Sequence, residues 1–265
     1  MKAIIFWVLV CFSLNSFAED YFSELRRPND PYALLQSKGK GFAAWSKAAF
    51  DYGRDKLTRA EYAALKDYTG PGYFEINGYL RKDNSASSYS KDKVYNIRYK
   101  IEKMNSGLKK LPSYTGYAFR GGNMNQALVD KLKVGDVLLD PAFSSASFFP
   151  ETAKRFAFNA PPVEGQSKTL FAIKVEHSAY ALPLLSKFEN EAEVLIPSGM
   201  PLEVLSVERV GQVNYVALRS IKALDGLDGS VYNSFTGDVL QVITTTKPIE
   251  VEEVGGWRGG VCKAV

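Results

Sequence analysis

The apolar positions of this chain change period once, near Pro112. Before that point they recur at helical spacing. Val94, Ile97, Ile101, Met104 and Leu108 alternate three and four apart, which places them on one face of an amphipathic helix. Ser90 is positioned to cap this helix and Pro112 to stop it. An alanine-rich stretch over 42–68 also reads as helical. Thr58-Arg59-Ala60-Glu61 predicts a capping box opening its second helix, and Gly70-Pro71-Gly72 predicts that helix's end. After Pro112 short apolar segments predict strands at 117–120, 137–139, 143–147, 170–175, 192–196, 202–207 and 213–218. Helices are predicted near 126–132 and 151–158. Helices first and strands after them predict an α+β domain rather than alternating βαβ units. No internal repeat is present.

Composition narrows this picture. Residues 1–18 read as a secretory signal peptide: Lys2, an apolar run over 4–12, then Ser16-Phe17-Ala18 as a small-x-small cleavage site. The run is too short for a stable membrane anchor, so a secreted, extracellular chain is expected. A net charge of +4 calls for neither a nucleic acid nor a membrane surface as partner. Cys11 leaves with the signal, so Cys262 is left as a lone thiol and no intramolecular disulfide is expected. Together with a single histidine, His177, this excludes a His/Cys zinc site, and no metal is expected. His177 follows a predicted strand and reads as a surface residue. Residues 222–265 carry scattered glycines and read as a C-terminal extension of unknown role, partly dispensable for chemistry, with 239–242 able to add a strand.

Candidate chemistry concentrates in Phe188-Glu189-Asn190-Glu191-Ala192-Glu193-Val194-Leu195-Ile196. Residues i and i+2 of a strand share a face, so Glu191 and Glu193 are expected to enter one cleft while Val194 and Ile196 anchor the other face. Two carboxylates together repel unless a cation or a developing positive charge lies opposite. That arrangement suits an oxocarbenium-like sugar and a nucleophile beside it. Glu189, two residues earlier, reads as a solvated loop acid. Upstream lie Tyr117-Ala118-Phe119-Arg120-Gly121-Gly122 and Phe143-Ser144-Ser145-Ala146-Ser147.

In chain order these motifs are aromatic-Arg-Gly, Ser-x-Ser and Glu-x-Glu. With them the chain resembles the arginine-serine-glutamate class of bacterial mono-ADP-ribosyltransferase toxins (C2/C3-like, arginine-specific). Glu61 to Gly70, followed by Ile76-Asn77 and Leu80-Arg81, looks like the family's N-terminal helix and the turn after it. The resemblance covers about residues 32–221. It implies N-terminal helices packed on a two-sheet, mostly antiparallel β core with an NAD cleft, in a catalytic domain over 19–221.

The resemblance also implies roles. Glu193 contacts the nicotinamide ribose and stabilises the oxocarbenium ion. Glu191 orients an acceptor arginine, and Ser145 hydrogen-bonds Glu193. Arg120 binds the phosphates of NAD, where a planar fork suits phosphate oxygens. Gly121 leaves its backbone open to the nicotinamide amide. Phe156 or Phe158 covers the nicotinamide, and Phe188 belongs to the turn that recognises the target. The middle of the serine motif is commonly threonine in the family and is Ala146 here. Ser147 reads as structural. The implied function is transfer of ADP-ribose from NAD to an arginine of a host protein by a monomeric secreted toxin. The alternatives are an NAD glycohydrolase and a catalytically idle binding module.

Overall fold

The computed structural model describes residues 20–26, 47, 51, 54–84, 86–182, 185–188, 191–224, 227–243, 252–254 and 257–261. The expected signal peptide, most of residues 42–53 in the stretch predicted helical over 42–68, Glu189 and Cys262 lie outside the described residues.

Helix α1 spans Ser23–Arg26 and α2 spans Arg59–Asp67. The capping box predicted at Thr58 is formed: the Glu61 amide donates to the Thr58 hydroxyl at 3.3 Å, and the Thr58 amide donates to the Glu61 carboxylate at 2.7 Å. Glu61 also accepts from Ser106 and Lys110 of the long helix that follows. Burial alone would raise its pKa, but bonds from Lys110, Ser106 and Thr58 hold it down to about 2.

Helix α2 ends ahead of Gly70-Pro71-Gly72, as the sequence predicts. Tyr68–Gly72 is a kinked connection with Pro71 inside it, and a new helix, α3, follows over Tyr73–Arg81. Gly70 leaves helical geometry there, at φ −118° and ψ −145°, which breaks the helix and turns the chain into α3. Helix α4 runs over Lys91–Leu108, capped by Ser90 as expected. Its apolar face (Ile97, Ile101, Met104 and Leu108) packs with Leu65, Tyr68 and Ile76 against Phe143, Tyr180 and Leu195. Each such fully buried side chain contributes about 1.5–3 kcal/mol.

The strands predicted at 117–120, 170–175, 202–207 and 213–218 are longer than their apolar cores suggest, the one at 137–139 has its predicted bounds, and those at 143–147 and 192–196 each start one residue later. The strands are β1 Ser113–Asn125, β2 Val137–Leu139, β3 Ser144–Ser147, β4 Gln166–Ala181, β5 Glu193–Ile196, β6 Pro201–Val210, β7 Val213–Ser220, β8 Gly229–Asn233 and β9 Val239–Ile243. Helix α5, Gln126–Val129, follows β1, and α6, Pro150–Asn159, follows β3. The sheet order is β1-β3-β5-β4-β7-β6-β2-β8-β9, and β1 also pairs with β4. The two expected layers are therefore one folded sheet sharing β1 and β4. The far end of β4 pairs with β5, and its earlier part pairs with β7. Only β4–β7 and β2–β8 are parallel among these pairings. A separate hairpin pairs β10, Glu252–Val254, with β11, Trp257–Val261.

His177 lies within β4, beyond the end predicted for that strand, and is half-buried. Residues 229–243 extend the sheet. Val231 and Leu224 form a small core with Val137 and Leu139, so the start of the expected extension is packed. No helix among the described residues is long and apolar enough to cross a membrane.

Candidate active site

Strand β5 divides its side chains between two environments. Val194 and Ile196 enter the core between the sheet layers, as expected, and Leu195 packs toward the helices. Glu193 shares Leu195's face and is only 6% exposed. Strand β3 lies alongside, with Ser145 opposite Leu195 and Ser147 opposite Glu193. The Ser145 hydroxyl donates to the Glu193 carboxylate at 2.6 Å. Ala146 points the other way into the core, so its departure from the family's threonine falls on packing. Burial pushes the Glu193 pKa up to about 7, with Glu191 adding to the rise. Hydrogen bonds from Ser145 and Ser186 and the charge of Arg120 offset only part of this.

Arg120 projects from β1, and its guanidinium donates to the Ser145 carbonyl. It thus ties the serine backbone rather than pairing with the Glu193 carboxylate. Burial lowers its pKa; Asp140 opposes that shift and Arg81 adds to it.

Glu191 reaches the same cleft as Glu193 by a route the sequence does not predict. The strand begins at Glu193, so strand alternation does not place Glu191. Ala192 between them adopts φ +46°, a left-handed conformation uncommon for any residue but glycine. Ser147 holds this kink by donating to the Glu191 carbonyl at 2.6 Å, which gives that hydroxyl its structural role. The Glu191 carboxylate accepts from the Arg155 guanidinium at 3.2 Å. Its pKa is raised by partial burial, with Arg155 opposing.

These groups open into a cleft of about 550 Å³, lined also by Thr69, Tyr73, Phe74, Phe156 and Phe188. Phe156 and Phe158, the two candidates on α6, separate here. Phe156 lines the cleft, whereas Phe158 does not. Two residues along a helix amount to roughly 200° of rotation, so one helix face cannot hold both. Phe188 stands at the rim, 55% exposed, and its amide is held by Ser186. The kinked connection after α2 supports this loop, since the Lys187 amide donates to Thr69 at 3.0 Å.

Gly121 lines the cleft, and a second requirement acts on it. A Cβ there would lie 1.8 Å from the Ala153 carbonyl oxygen, because α6 packs directly on β1 at this point. We expect Gly121→Ala to destabilise the fold by about 1–3 kcal/mol or more, since the obstacle is backbone. Chemical denaturation of both proteins checks this; an unchanged midpoint would contradict the packing.

Several other cleft residues carry no motif that marks a role. Arg81 of α3 makes a two-pronged ion pair with Asp140, at 3.0 and 2.6 Å, and reaches both this cleft and a second cavity. Asn77 donates to the Tyr68 hydroxyl and the Phe143 carbonyl, while its buried Oδ1 has no hydrogen-bond partner among the described residues. Asn77 and Arg81 stand four apart on α3, the spacing of one helix face; that was the available signal. The second cavity, about 220 Å³, shares Arg81 and Arg120 with the cleft. A buried carboxylate beside a second acid can stabilise a developing cation. Two arginines where two cavities meet can hold a bridging anion.

Comparison with known proteins gives the same direction. Residues 43–223 match the family described as ADP-ribosyltransferase exoenzyme. Vis of Vibrio splendidus strain 12B01 is 31% identical over 235 residues, covering 88% of this chain and 93% of its own. Its solved structure, "Vis toxin, an ADP-ribosyltransferase from Vibrio Splendidus", superimposes with a TM-score of 0.73 over 83% of this chain and 100% of that one. Tre1 of Serratia proteamaculans is 28% identical over 152 residues, 57% of this chain and 29% of its own. A solved ADP-ribosyltransferase from Clostridium botulinum, at 17% identity and a TM-score of 0.52 over 68% of this chain and 94% of its own, shares the fold. By the span of the family match and the extent of its likeness to Vis, this chain belongs to the ADP-ribosyltransferase exoenzyme family.

Proposed function

We propose that this protein cleaves NAD at the nicotinamide–ribose bond and transfers ADP-ribose to an arginine side chain of a host protein. The observation that carries this reading is the buried Glu193 carboxylate, fixed by Ser145 and raised to about 7, beside Glu191 in an aromatic-rimmed cleft. NAD suits the space as substrate. Its two nucleoside ends match two cavities, and its pyrophosphate matches the two arginines shared between them. The Oδ1 of Asn77, without a partner among the described residues, offers an acceptor for a ligand donor.

In the reaction, nicotinamide leaves with the bonding electrons and the ribose becomes an oxocarbenium ion. The Glu193 carboxylate faces that charge, which exists only near the transition state. A guanidinium then attacks the anomeric carbon and loses a proton. Glu191 orients it and accepts that proton. The carboxylate of Glu191 already receives a guanidinium in the structure, that of Arg155, so its geometry suits such a partner. Tre1 is named as a protein-arginine ADP-ribosyltransferase, and Vis was solved in complex with agmatine, an arginine analogue. Phe188 and Phe74, exposed at the rim, are placed to meet the acceptor protein. Export through residues 1–18, a host target, a monomeric state and independence of metal complete the reading.

The reaction needs Glu193 ionised. Its pKa of about 7 in the free protein means that kcat/KM for NAD rises as pH increases through about 7 and levels above it. Nicotinamide release measured from about pH 5.5 to about pH 9 tests this. A profile flat across that range would contradict the role of Glu193.

A further inference from the structure

The match to the family ends at residue 223, yet the chain beyond it returns to the site. Strand β8 runs parallel to β2, with Asn233 beside Leu139. The turn after it is tightly determined. Ser234 donates its amide to the Leu139 carbonyl at 3.0 Å, and the amides of Phe235 and Thr236 both donate to the Asn233 side chain, at 2.9 and 3.1 Å. Gly237 closes the turn at φ +84°, and Lys131 donates to its carbonyl at 2.9 Å. This turn projects Phe235, which remains 45% exposed, into the wall of the second cavity.

Phe235 lies over the guanidinium of Arg81, 4.6 Å from ring centroid to Cζ. Arg81 is thereby fixed on two sides. Asp140 takes one edge of its fork and Phe235 covers one face. Asp140 in turn accepts from the Ala142 amide and the Ser144 hydroxyl, which tie it to the start of β3 beside Ser145. An arginine held in this way presents its charge to an anion with little ordering left to do.

We propose that Phe235 is a positioning residue for NAD: it orients Arg81 toward the pyrophosphate and walls the cavity that takes the nucleoside end remote from nicotinamide. The segment after residue 223 thus completes the binding site and is not a passive extension. This inference rests on the reading of NAD as substrate. Because Phe235 touches neither the cleaved bond nor Glu193, it acts on binding and not on the chemical step.

The test compares the wild-type protein with Phe235→Ala, Phe235→Leu and Phe235→Tyr. Ala and Leu should raise KM for NAD by about tenfold, with kcat within about twofold, because both lack an aromatic face. Tyr should restore the wild-type KM. Melting temperatures should agree within about 2 °C, since the side chain is half-exposed. An unchanged KM in Phe235→Ala overturns the proposal, as does a parallel fall of kcat and melting temperature, which would mark a merely structural role. Phe235→Trp supplies a readout independent of turnover: its fluorescence should change saturably on addition of ADP-ribose. No change with either ADP-ribose or NAD also overturns the inference. If wild-type protein releases no nicotinamide while Phe235→Trp still reports ADP-ribose, the reaction assigned above fails and the positioning role stands.

Discussion

Glu193→Gln is expected to lower NAD hydrolysis and ADP-ribosyl transfer together, by at least about 10²–10³-fold, and to make the protein more stable above pH 7. The catalytic loss follows from removing a charge that is needed only as the sugar becomes cationic. The gain in stability follows from burial. The carboxyl group titrates near 7 in the folded protein against an ordinary value of 4.5. Below about pH 4.5 it is protonated in both folded and unfolded chains, and no difference exists. As pH rises through that window, the unfolded chain loses the proton first and stability falls. Above about 7 the full cost is present, up to about 3 kcal/mol. Glutamine does not ionise and keeps an oxygen for Ser145. Melting curves of both proteins at about pH 4 and about pH 8, with nicotinamide release at the higher value, check the pair of effects. Activity within tenfold of wild type, or a stability difference equal at both pH values, would sink the assignment.

Glu191→Gln should instead separate the two activities. Departure of nicotinamide depends on Glu193, so hydrolysis of NAD should persist at a substantial fraction of its wild-type rate. Attack by arginine depends on a carboxylate that orients the guanidinium and takes its proton, so labelling of an arginine acceptor should fall by about 10²-fold or more. The amide keeps the shape of the side chain, and Ser147 bonds to the backbone carbonyl, so the kink at Ala192 should survive. Both activities are measured on one preparation, with etheno-NAD for hydrolysis and agmatine for transfer. A parallel fall would place Glu191 in the cleavage step and remove the main support for an arginine acceptor.

Much of this site was legible because its parts follow local rules. Ser90, Thr58 and Glu61 announce two helix starts, and alternation along β5 separates Glu193 from Val194 and Ile196. The Ser145–Glu193 bond follows from motif order once β3 and β5 are neighbours. What was not legible depends on backbone exceptions or on distant pairings. Glu191 was expected on the strand, but its position comes from the left-handed Ala192, which no residue-type signal marks. Gly70-Pro71-Gly72 reads as a stop and α2 does end there, but nothing local tells that this kink lines the cleft. The Arg81–Asp140 pair spans 59 residues, and Phe235 meets Arg81 only because β8 returns to β2. Glycine-dotted sequence concealed that strand.

The most direct measurement follows NAD labelled in its ADP-ribose half, incubated with purified protein with and without agmatine. Nicotinamide release is expected in both cases, faster with agmatine, with ADP-ribosyl-agmatine accumulating at the expense of free ADP-ribose. Release at an unchanged rate with free ADP-ribose as the sole product would contradict arginine transfer and mark a glycohydrolase. No release at all would contradict the catalytic reading of Glu193.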